Sequence, residues 1–337
     1  MNARVDIRER LAEQEVAAVV ALVDAATDAD SVRPLNEHVM LHLRYGGDPG
    51  AKAVLLYDGD TLAGFAHIDP TDPVEGPSGE LVVHPAHRRK GLGRRLTEVA
   101  LAQSDGRLRL WAHGDQPEAE RLATSLGFTR VRSLWQMRRS LFAPLPGADL
   151  PPGVRLRTFE PGSDEKAWLE VNARAFAHHP EQGSWTIEDL RRREQEPWFD
   201  PAGFFLAVRD AADDRQGATD DRQDGVKSRQ GAGEGAPVTG DGSRLVGFHW
   251  TKVHGDDDHD APHGHNAIGE VYVVGVDPSE QGGGLGRTLT LAGLTHLRSR
   301  GLPQVMLYVD EDNTSAIRLY ESLGFTRWDV DVMYRHI

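Results

Sequence analysis

The chain of 337 residues contains no cysteine, which excludes disulfide bonds, thiolate metal sites and a cysteine nucleophile. Basic residues are also scarce: 38 Lys and Arg stand against 52 Asp and Glu, for a formal net charge of -14. This balance argues against a nucleic-acid partner, because neutralising phosphates requires a surplus of Lys and Arg. No apolar run is long enough to span a membrane, and the N-terminal segment lacks a signal-peptide pattern. We therefore expect a cytoplasmic protein without a membrane partner.

Residues 268–290 have the pattern of a strand, a glycine-rich turn and a helix. The β-branched and aromatic residues 270–276 favour a buried strand, and Pro278 ends it because proline lacks the N–H that a ladder needs. Residues 281–287 are rich in glycine, which allows consecutive backbone N–H groups to converge, and the following helix adds its positive N-terminal end. The pattern predicts a site for a phosphate-bearing ligand.

The same pattern recurs in residues 79–97. When Pro85 is set against Pro278, two glycines of the first turn coincide with two of the second. A further pair of matching segments follows in the same order, Ser-Leu-Gly-Phe at 125–128 and again at 322–325. Two motifs that recur in register indicate a tandem duplication.

The duplication predicts an α/β fold with a mixed sheet in each of two tandem domains. We expect the first domain at residues 1–142 and the second at 154–337, joined by the proline-rich linker 143–153. Residues 210–243 have almost no large apolar side chains and are predicted to be a disordered insertion in a hairpin. A polar loop at 255–265 contains His and Asp without a defined ligand spacing, so no metal is expected there.

Two motifs of the second half resemble the GNAT superfamily of acetyl-CoA-dependent acyltransferases. Residues 281–286 match its Q-x-x-G-x-G turn, and residues 313–325 match its N-x-x-A-x-x-x-Y-x-x-x-G-F segment. The first half keeps the glycine turn at 88–93 with a weaker downstream segment. The resemblance implies two tandem GNAT domains that use acetyl-CoA as co-substrate, with one molecule bound in one or both halves.

The same resemblance assigns acetyl-CoA contacts to residues of both halves. In the first half they are Leu81, Val82, Val83, Arg89, Lys90, Gly91, Leu92, Gly93 and Arg94. In the second half they are Val274, Gly275, Val276, Gln281, Gly282, Gly283, Gly284, Leu285, Gly286, Arg287, Asn313, Thr314, Ser315, Ala316, Ile317 and Arg318.

Four further strings, at 179–185, 247–254, 269–278 and 307–313, resemble a narrower group of tandem GNAT enzymes. That group acetylates the cysteinyl amine of cysteinyl-glucosaminyl-inositol, a small-molecule substrate. The resemblance implies that Glu270 is the general base and that Tyr320 protonates or hydrogen-bonds the CoA sulfur. It assigns substrate binding to Glu37, Glu181, Lys252, Glu270 and Tyr308. Because the chain has no cysteine, direct transfer is favoured over a cysteine-acetyl intermediate. We also expect a monomer.

Neither predicted proton-transfer residue recurs in the first half. Counting back from the matched prolines sets Pro77 against Glu270, and counting back from the matched Gly-Phe pairs sets Ala123 against Tyr320. Glu80 lies three positions from the residue matched to Glu270, which on an unbroken strand points its side chain to the other face. We therefore expect the first half to bind acetyl-CoA without transferring the acetyl group.

Two other functions remain open. A GNAT enzyme that acetylates a different small amine, such as an aminoglycoside or a polyamine, would keep the glycine turns without the four additional strings. A non-catalytic acyl-CoA sensor would need neither Glu270 nor Tyr320.

Overall fold

The structure is a computed structural model that describes residues 3–46, 50–72, 75–147, 149–209, 237–255 and 267–336. The chain forms two compact units that are interleaved in sequence. The first unit comprises the residues up to Gln136, then Val309–Thr314, then those from Arg327 onward; the second comprises Met137–Tyr308 and Ser315–Thr326. The last strand, expected in the second domain, therefore lies in the first unit. The predicted boundaries of the linker stay a prediction.

The first unit is built on a mixed sheet with the strand order β1-β2-β3-β4-β5-β12. Its strands are β1 (Ala3–Arg8), β2 (Lys52–Asp58), β3 (Thr61–Asp69), β4 (Ser78–Val83), β5 (Leu108–Ala112) and β12 (Thr326–His336), and β6 (Thr129–Ser140) starts in this unit. Its helices are α1 (Glu13–Asp30), α2 (Glu37–Tyr45), α3 (Leu92–Ala102) and α4 (Pro117–Ser125). Strands β2 and β3 form an antiparallel hairpin, and β12 belongs to this unit because it pairs antiparallel with β5.

The second unit repeats this plan with the strand order β11-β10-β9-β8-β7. Its strands are β7 (Val154–Thr158), β8 (Phe204–Arg209), β9 (Arg244–His254), β10 (Ile268–Val276) and β11 (Gln304–Asp310). Its helices are α5 (Glu165–Ala175), α6 (Pro180–Gly183), α7 (Ile187–Glu194), α8 (Leu285–Ser299) and α9 (Thr314–Ser322). The helix predicted after the glycine turn is therefore confirmed as α8.

Apolar side chains cover both faces of each sheet, as strands covered by helices on both sides require. In the second unit, Trp168 of α5 packs with Phe204 and Trp250 on one face. Leu289 of α8 packs with Val246 on the other face. The two buried layers hold the strands rigidly, which fixes the positions of the polar side chains at the strand ends.

The last residues of the disordered insertion predicted at 210–243 have a defined structure. Residues 210–236 lie outside the described part of the chain, but residues 237–243 are ordered. Val238 bridges to Arg244, and Thr239 is buried and donates its backbone N–H to Ser243 O at 2.9 Å. Most of the polar loop predicted at 255–265, from 256 onward, also lies outside the described residues.

Candidate active site

In the second unit, β10 and β11 run parallel but pair over only a short stretch. The paired positions are Gly269 with Val305, Glu270 with Met306 and Val271 with Leu307. Both strands continue beyond this ladder, to Val276 and Asp310. Since the pairing ends while the strands go on, the sheet opens next to Glu270. Lys252 of β9 lies directly opposite Glu270 on the other side.

Glu270 is buried at this opening, beside the polar side chains of His254 and Lys252 on β9. Its Oε2 lies 2.6 Å from Nε2 of His254, the last residue of β9. Lys252 is buried as well, and its ammonium lies 4.3 Å from the ring centroid of Trp198 and 5.2 Å from that of Tyr272. Aromatic faces attract a cation, which stabilises the charged amine in this buried position. The opening thus brings together a carboxylate, an imidazole and a cation.

A β-bulge interrupts β10 close to Glu270. Thr251 on β9 pairs with Val271, and the adjacent Trp250 pairs with Val273, so Tyr272 is an extra residue in β10. An extra residue reverses the alternation of side chains beyond it. The comparison of the two halves assumed an unbroken strand, whereas β10 contains a bulge.

The bulge corrects the prediction for Glu80. The hairpins of the two units match from Gly64 and Gly247 onward, and counting ladder pairs from these glycines sets Glu270 against Ser78 rather than the preceding proline. Glu80 lies two ladder pairs from Ser78, and side chains two pairs apart face the same side of a sheet. The prediction that Glu80 points to the opposite face from the Glu270 position was wrong.

Glu80 belongs to a buried cluster in the first unit. Its Oε1 lies 3.1 Å from His113 Nε2, and its Oε2 accepts the Asn36 N–H at 2.7 Å. Asp331 Oδ2 lies 2.9 Å from His113 Nδ1. Burial alone would lower the pKa of His113, but the nearby Glu80 and Asp331 carboxylates raise it to about 10. His113 is therefore an imidazolium between two carboxylates, and both oxygens of Glu80 already accept hydrogen bonds.

A cavity of about 440 Å³ opens beside this cluster in the first unit. The parallel pairing of β4 with β5 ends at Glu80 and Trp111, and the cavity lies where the two strands separate. Its walls include Leu81, Val83 and Ala123, together with His113. The first unit therefore has a mainly apolar channel at the place where the second unit opens next to Glu270.

Tyr320 is buried on α9, where its ring packs edge-on against Phe325 with 5.8 Å between the centroids. Burial raises the pKa of Tyr320 to about 12, so the phenol keeps its proton at neutral pH. In the first unit the corresponding position is Ala123, as predicted by counting, since the backbone hydrogen bonds around both residues follow the same pattern. At this position the second unit thus has a buried phenol where the first unit has a methyl group.

The glycine turn of the second unit has the conformation that its sequence indicates. Gly282 and Gly284 have φ of 87° and 83°, which other residues rarely adopt, and a Cβ at either would meet nothing within 4 Å. Gly284 immediately precedes α8, and Arg287 of its first turn donates to Ser322 Oγ at 2.7 Å. An open glycine turn at a helix N-terminus fits the pyrophosphate of acetyl-CoA.

The corresponding turn of the first unit is similar in backbone but differs in charge. Gly91 has φ of 78° and precedes α3 as Gly284 precedes α8. The guanidinium of Arg88 is bound by both carboxylate oxygens of Asp30 at 2.7 Å. Lys90 Nζ lies 3.6 Å from Asp58 Oδ2. These carboxylates offset part of the positive charge that the sequence places beside this turn.

Several known proteins match this chain over nearly its whole length. A mycothiol acetyltransferase of Streptosporangium roseum is 75% identical, over 99% of this chain and 100% of the relative. A mycothiol acetyltransferase of Thermobispora bispora is 61% identical, over 99% of this chain and 100% of the relative. The chain belongs to the mycothiol acetyltransferase family.

Both halves of this mycothiol acetyltransferase family member also match GNAT profiles. The profile described as acetyltransferase (GNAT) family covers residues 166–325, and that described as acetyltransferase (GNAT) domain covers residues 49–130. The predicted tandem GNAT fold and acyltransferase class are thereby confirmed. GNAT acetyltransferases use acetyl-CoA, and the acceptor is a small-molecule amine.

Solved structures share the fold at low sequence identity. A tandem GNAT protein from the clavulanic acid biosynthesis pathway superposes with a TM-score of 0.65 at 19% identity, over 98% of each chain. A GCN5-related N-acetyltransferase from Sphaerobacter thermophilus gives 0.61 at 24% identity, over 98% of this chain and 95% of that one.

The remaining predicted substrate residues of the family member are distributed over several elements. Tyr308 lies on β11, two residues beyond Met306, and is 40% exposed. Glu37 is the first residue of α2, in the first unit. Glu181 lies on α6, and its side chain is outside the described residues. Their contacts with substrate, like those predicted for residues 313–318 with acetyl-CoA, stay predictions.

The reasoning from sequence missed two polar contacts, that of His254 with Glu270 and that of Asp331 with His113. His254 lies two residues after Lys252 on one strand, so strand alternation could have placed it on the same face. Asp331 carried no such signal, because its contact with His113 depends on the pairing of β12 with β5, which are distant in sequence.

The described part of the chain shows no group of three or more His, Cys, Asp or Glu arranged to hold a metal ion. Within the same residues, no helix is both long and apolar enough to cross a membrane.

Proposed function

We propose that the chain transfers the acetyl group of acetyl-CoA to the cysteinyl amine of 1D-myo-inositol 2-(L-cysteinylamino)-2-deoxy-glucopyranoside, giving mycothiol and CoA. The names of relatives up to 75% identical support this substrate. The observation that carries the chemistry is Glu270, a buried carboxylate at the point where β10 and β11 cease to pair. Acetyl transfer to an amine requires a base at the place where a thioester can meet the amine.

In this proposal, Glu270 accepts a proton from the substrate ammonium, which frees the lone pair of the nitrogen. The new bond forms between that nitrogen and the acetyl carbonyl carbon, and the bond from this carbon to sulfur breaks. Tyr320 gives its phenolic proton to the departing sulfur, and its burial keeps that proton in place until then. The acylated nitrogen loses its second proton, which passes through water to the Tyr320 phenolate and restores the phenol. Transfer is direct, without an acetylated side chain.

Other residues bind and orient the two substrates. The backbone of residues 274–276 extends beyond the ladder, where its amide groups can hold the acetyl carbonyl and the pantetheine arm. The turn 281–287 and the start of α8 hold the pyrophosphate. Lys252, Tyr308, Glu181 and Glu37 bind the sugar and inositol hydroxyls, since carboxylates accept hydrogen bonds and ammonium and phenol groups donate them.

The first unit, in this proposal, binds acetyl-CoA in its cavity and turn but does not transfer the acetyl group. Ser78 and Ala123 stand where the second unit has Glu270 and Tyr320. Glu80 faces the side of its sheet that corresponds to the Glu270 side, but its two carboxylate oxygens are bound by His113 and Asn36. We further propose a cytoplasmic monomer.

The test is an assay by mass spectrometry of the purified chain with acetyl-CoA and a panel of amines. The panel contains cysteinyl-glucosaminyl-inositol, an aminoglycoside and a polyamine. Acetylation of the cysteinyl compound with a kcat/KM far above the others is the expected result. Preferential acetylation of another amine would replace the proposed substrate, and acetyl-CoA binding without any product would favour a sensor.

A further inference from the structure

The imidazole of His254 lies against the carboxylate of Glu270. Its Nε2 lies 2.6 Å from Glu270 Oε2, well inside hydrogen-bonding distance. The imidazole is 35% exposed, whereas the carboxylate is 9% exposed. A solvent-contacting ring therefore holds a buried carboxylate oxygen from the outside.

The β9–β10 ladder explains this contact. Lys252 is directly opposite Glu270, and His254 is directly opposite Ile268. His254 and Lys252 are two residues apart on one strand, so both side chains share a face with Glu270. Diagonal neighbours of an antiparallel ladder are within reach of long side chains. The bulge at Tyr272 begins beyond these pairs, so it leaves this part of the register unchanged.

The groups that face the Glu270–His254 pair come from three strands and one helix. On β9 the charged group is Lys252, which is stacked on aromatic rings. On β10 the polar group is the phenol of Tyr272, which accepts a hydrogen bond from Arg193 of α7 at 2.8 Å. On β11 the directly opposite residue is Met306, which is apolar, and Tyr308 follows two residues later. Among these groups His254 supplies the imidazole, which lies within hydrogen-bonding distance of Glu270.

We propose that His254 is a positioning residue for the acetyl transfer: its Nε2–H donates to Glu270 Oε2 and so directs Oε1 toward the substrate ammonium. This inference rests on the proposed function, in which Glu270 is the base. The proton that leaves the ammonium ends on Oε1, so His254 neither gains nor loses a proton in the step. Because one oxygen is fixed by the ring, the carboxylate does not have to be ordered when the amine arrives.

Two substitutions separate positioning from simple occupation of space. His254→Gln replaces the ring with an amide whose N–H can donate to Glu270 Oε2. His254→Leu keeps the volume and removes the donor. We expect His254→Leu to lower kcat by about 10- to 100-fold, which is part of the 10²–10⁴ that a positioned general base contributes. The KM for acetyl-CoA should stay within about twofold, because the turn 281–287 is unaffected.

We expect His254→Gln to recover most of the kcat that His254→Leu loses, because its amide N–H replaces the imidazole N–H as donor to Glu270 Oε2. The matched control is His296→Gln. His296 lies on α8 in the same unit and pairs with a different carboxylate, Asp200, at 3.5 Å. His296→Gln should leave kcat unchanged.

If His254→Leu retains full kcat, or if His254→Gln lowers kcat by more than about tenfold, the positioning role is wrong. Thermal denaturation and acetyl-CoA binding of each variant establish that it is folded, and the Gln variant carries the test if the Leu variant is not. Failure of the proposed function has a different signature. In that case Glu270→Gln itself remains active, whatever the behaviour of the His254 variants.

Discussion

The backbone carbonyls of Ala123 and Tyr320 make the same hydrogen bond, each accepting at 3.0 Å the N–H of a phenylalanine five residues later. The two residues are thus equivalent positions of a duplicated helix end. One side chain is a methyl group on the wall of a cavity, and the other is a buried phenol. The duplication has kept the backbone of this helix end in both units and the phenol in the second.

Tyr320→Phe tests the proton donor. We expect kcat to fall by about 10- to 1,000-fold, because a general acid contributes on the order of 10²–10⁴ and water can replace part of it. The KM for acetyl-CoA should change little, since the ring is retained. Because the pKa of Tyr320 is raised to about 12, its ionisation should not reduce kcat at any pH below about 11. Tyr334→Phe, at a buried tyrosine of the first unit, is the control and should leave kcat intact.

Ala123→Tyr tests whether the first unit binds acetyl-CoA. The larger side chain should fill part of the cavity of about 440 Å³ and block the channel between β4 and β5. Isothermal titration calorimetry should show two molecules of acetyl-CoA bound per parent chain and one per variant chain, with kcat unchanged. Equal stoichiometry in both proteins would mean that the first unit does not use this cavity.

Gly284→Ala tests the glycine turn of the second unit. At φ of 83° a Cβ introduces backbone strain of about 1–3 kcal/mol although the surrounding space is open. We expect the KM for acetyl-CoA to rise by about tenfold, because relieving the strain moves the amides that face the pyrophosphate. Gly301→Ala is the matched control: it has φ of 78° and open space too, but it follows α8 instead of preceding it. It should lower the melting temperature without changing KM.

His113→Gln tests the buried cluster of the first unit through pH. The folded-state pKa of His113, about 10, lies above the ordinary value of 6.5, so the folded state binds the proton more tightly than the unfolded chain. The stabilisation is therefore fully present below about pH 6.5 and is lost as the pH rises through about 10. Thermal melts from pH 6 to 10 should show a steeper fall for the parent chain than for His113→Gln. Parallel curves would show that His113 is not held as an imidazolium.

Sequence reasoning located the parts of the fold that depend on local patterns. The two glycine turns and the helices that begin after them each follow from neighbouring residues. It did not locate β12, whose partner β5 lies more than two hundred positions away in the chain. Pairing over that distance depends on the complementarity of whole surfaces, and no local motif carries it.

The candidate site shows the same division. Glu270 and Tyr320 were found by their place in motifs, whereas the orientation of Glu80 was predicted wrongly because one extra residue, Tyr272, reverses the alternation of β10. A bulge has weak sequence signals when the inserted residue is itself a good strand former, as tyrosine is. The contact between His254 and Glu270 could be expected from strand alternation once the β9–β10 register was known.

Glu270 and Glu80 provide the most direct test of the account, because both are buried carboxylates on corresponding faces of the two sheets and each contacts a histidine. The measurement is the initial rate of formation of acetylated cysteinyl-glucosaminyl-inositol by Glu270→Gln and Glu80→Gln, with acetyl-CoA saturating. The account predicts a loss in kcat of about 10²–10⁴ for Glu270→Gln and a change of less than about threefold for Glu80→Gln. An active Glu270→Gln variant, or a greater loss from Glu80→Gln, would contradict it.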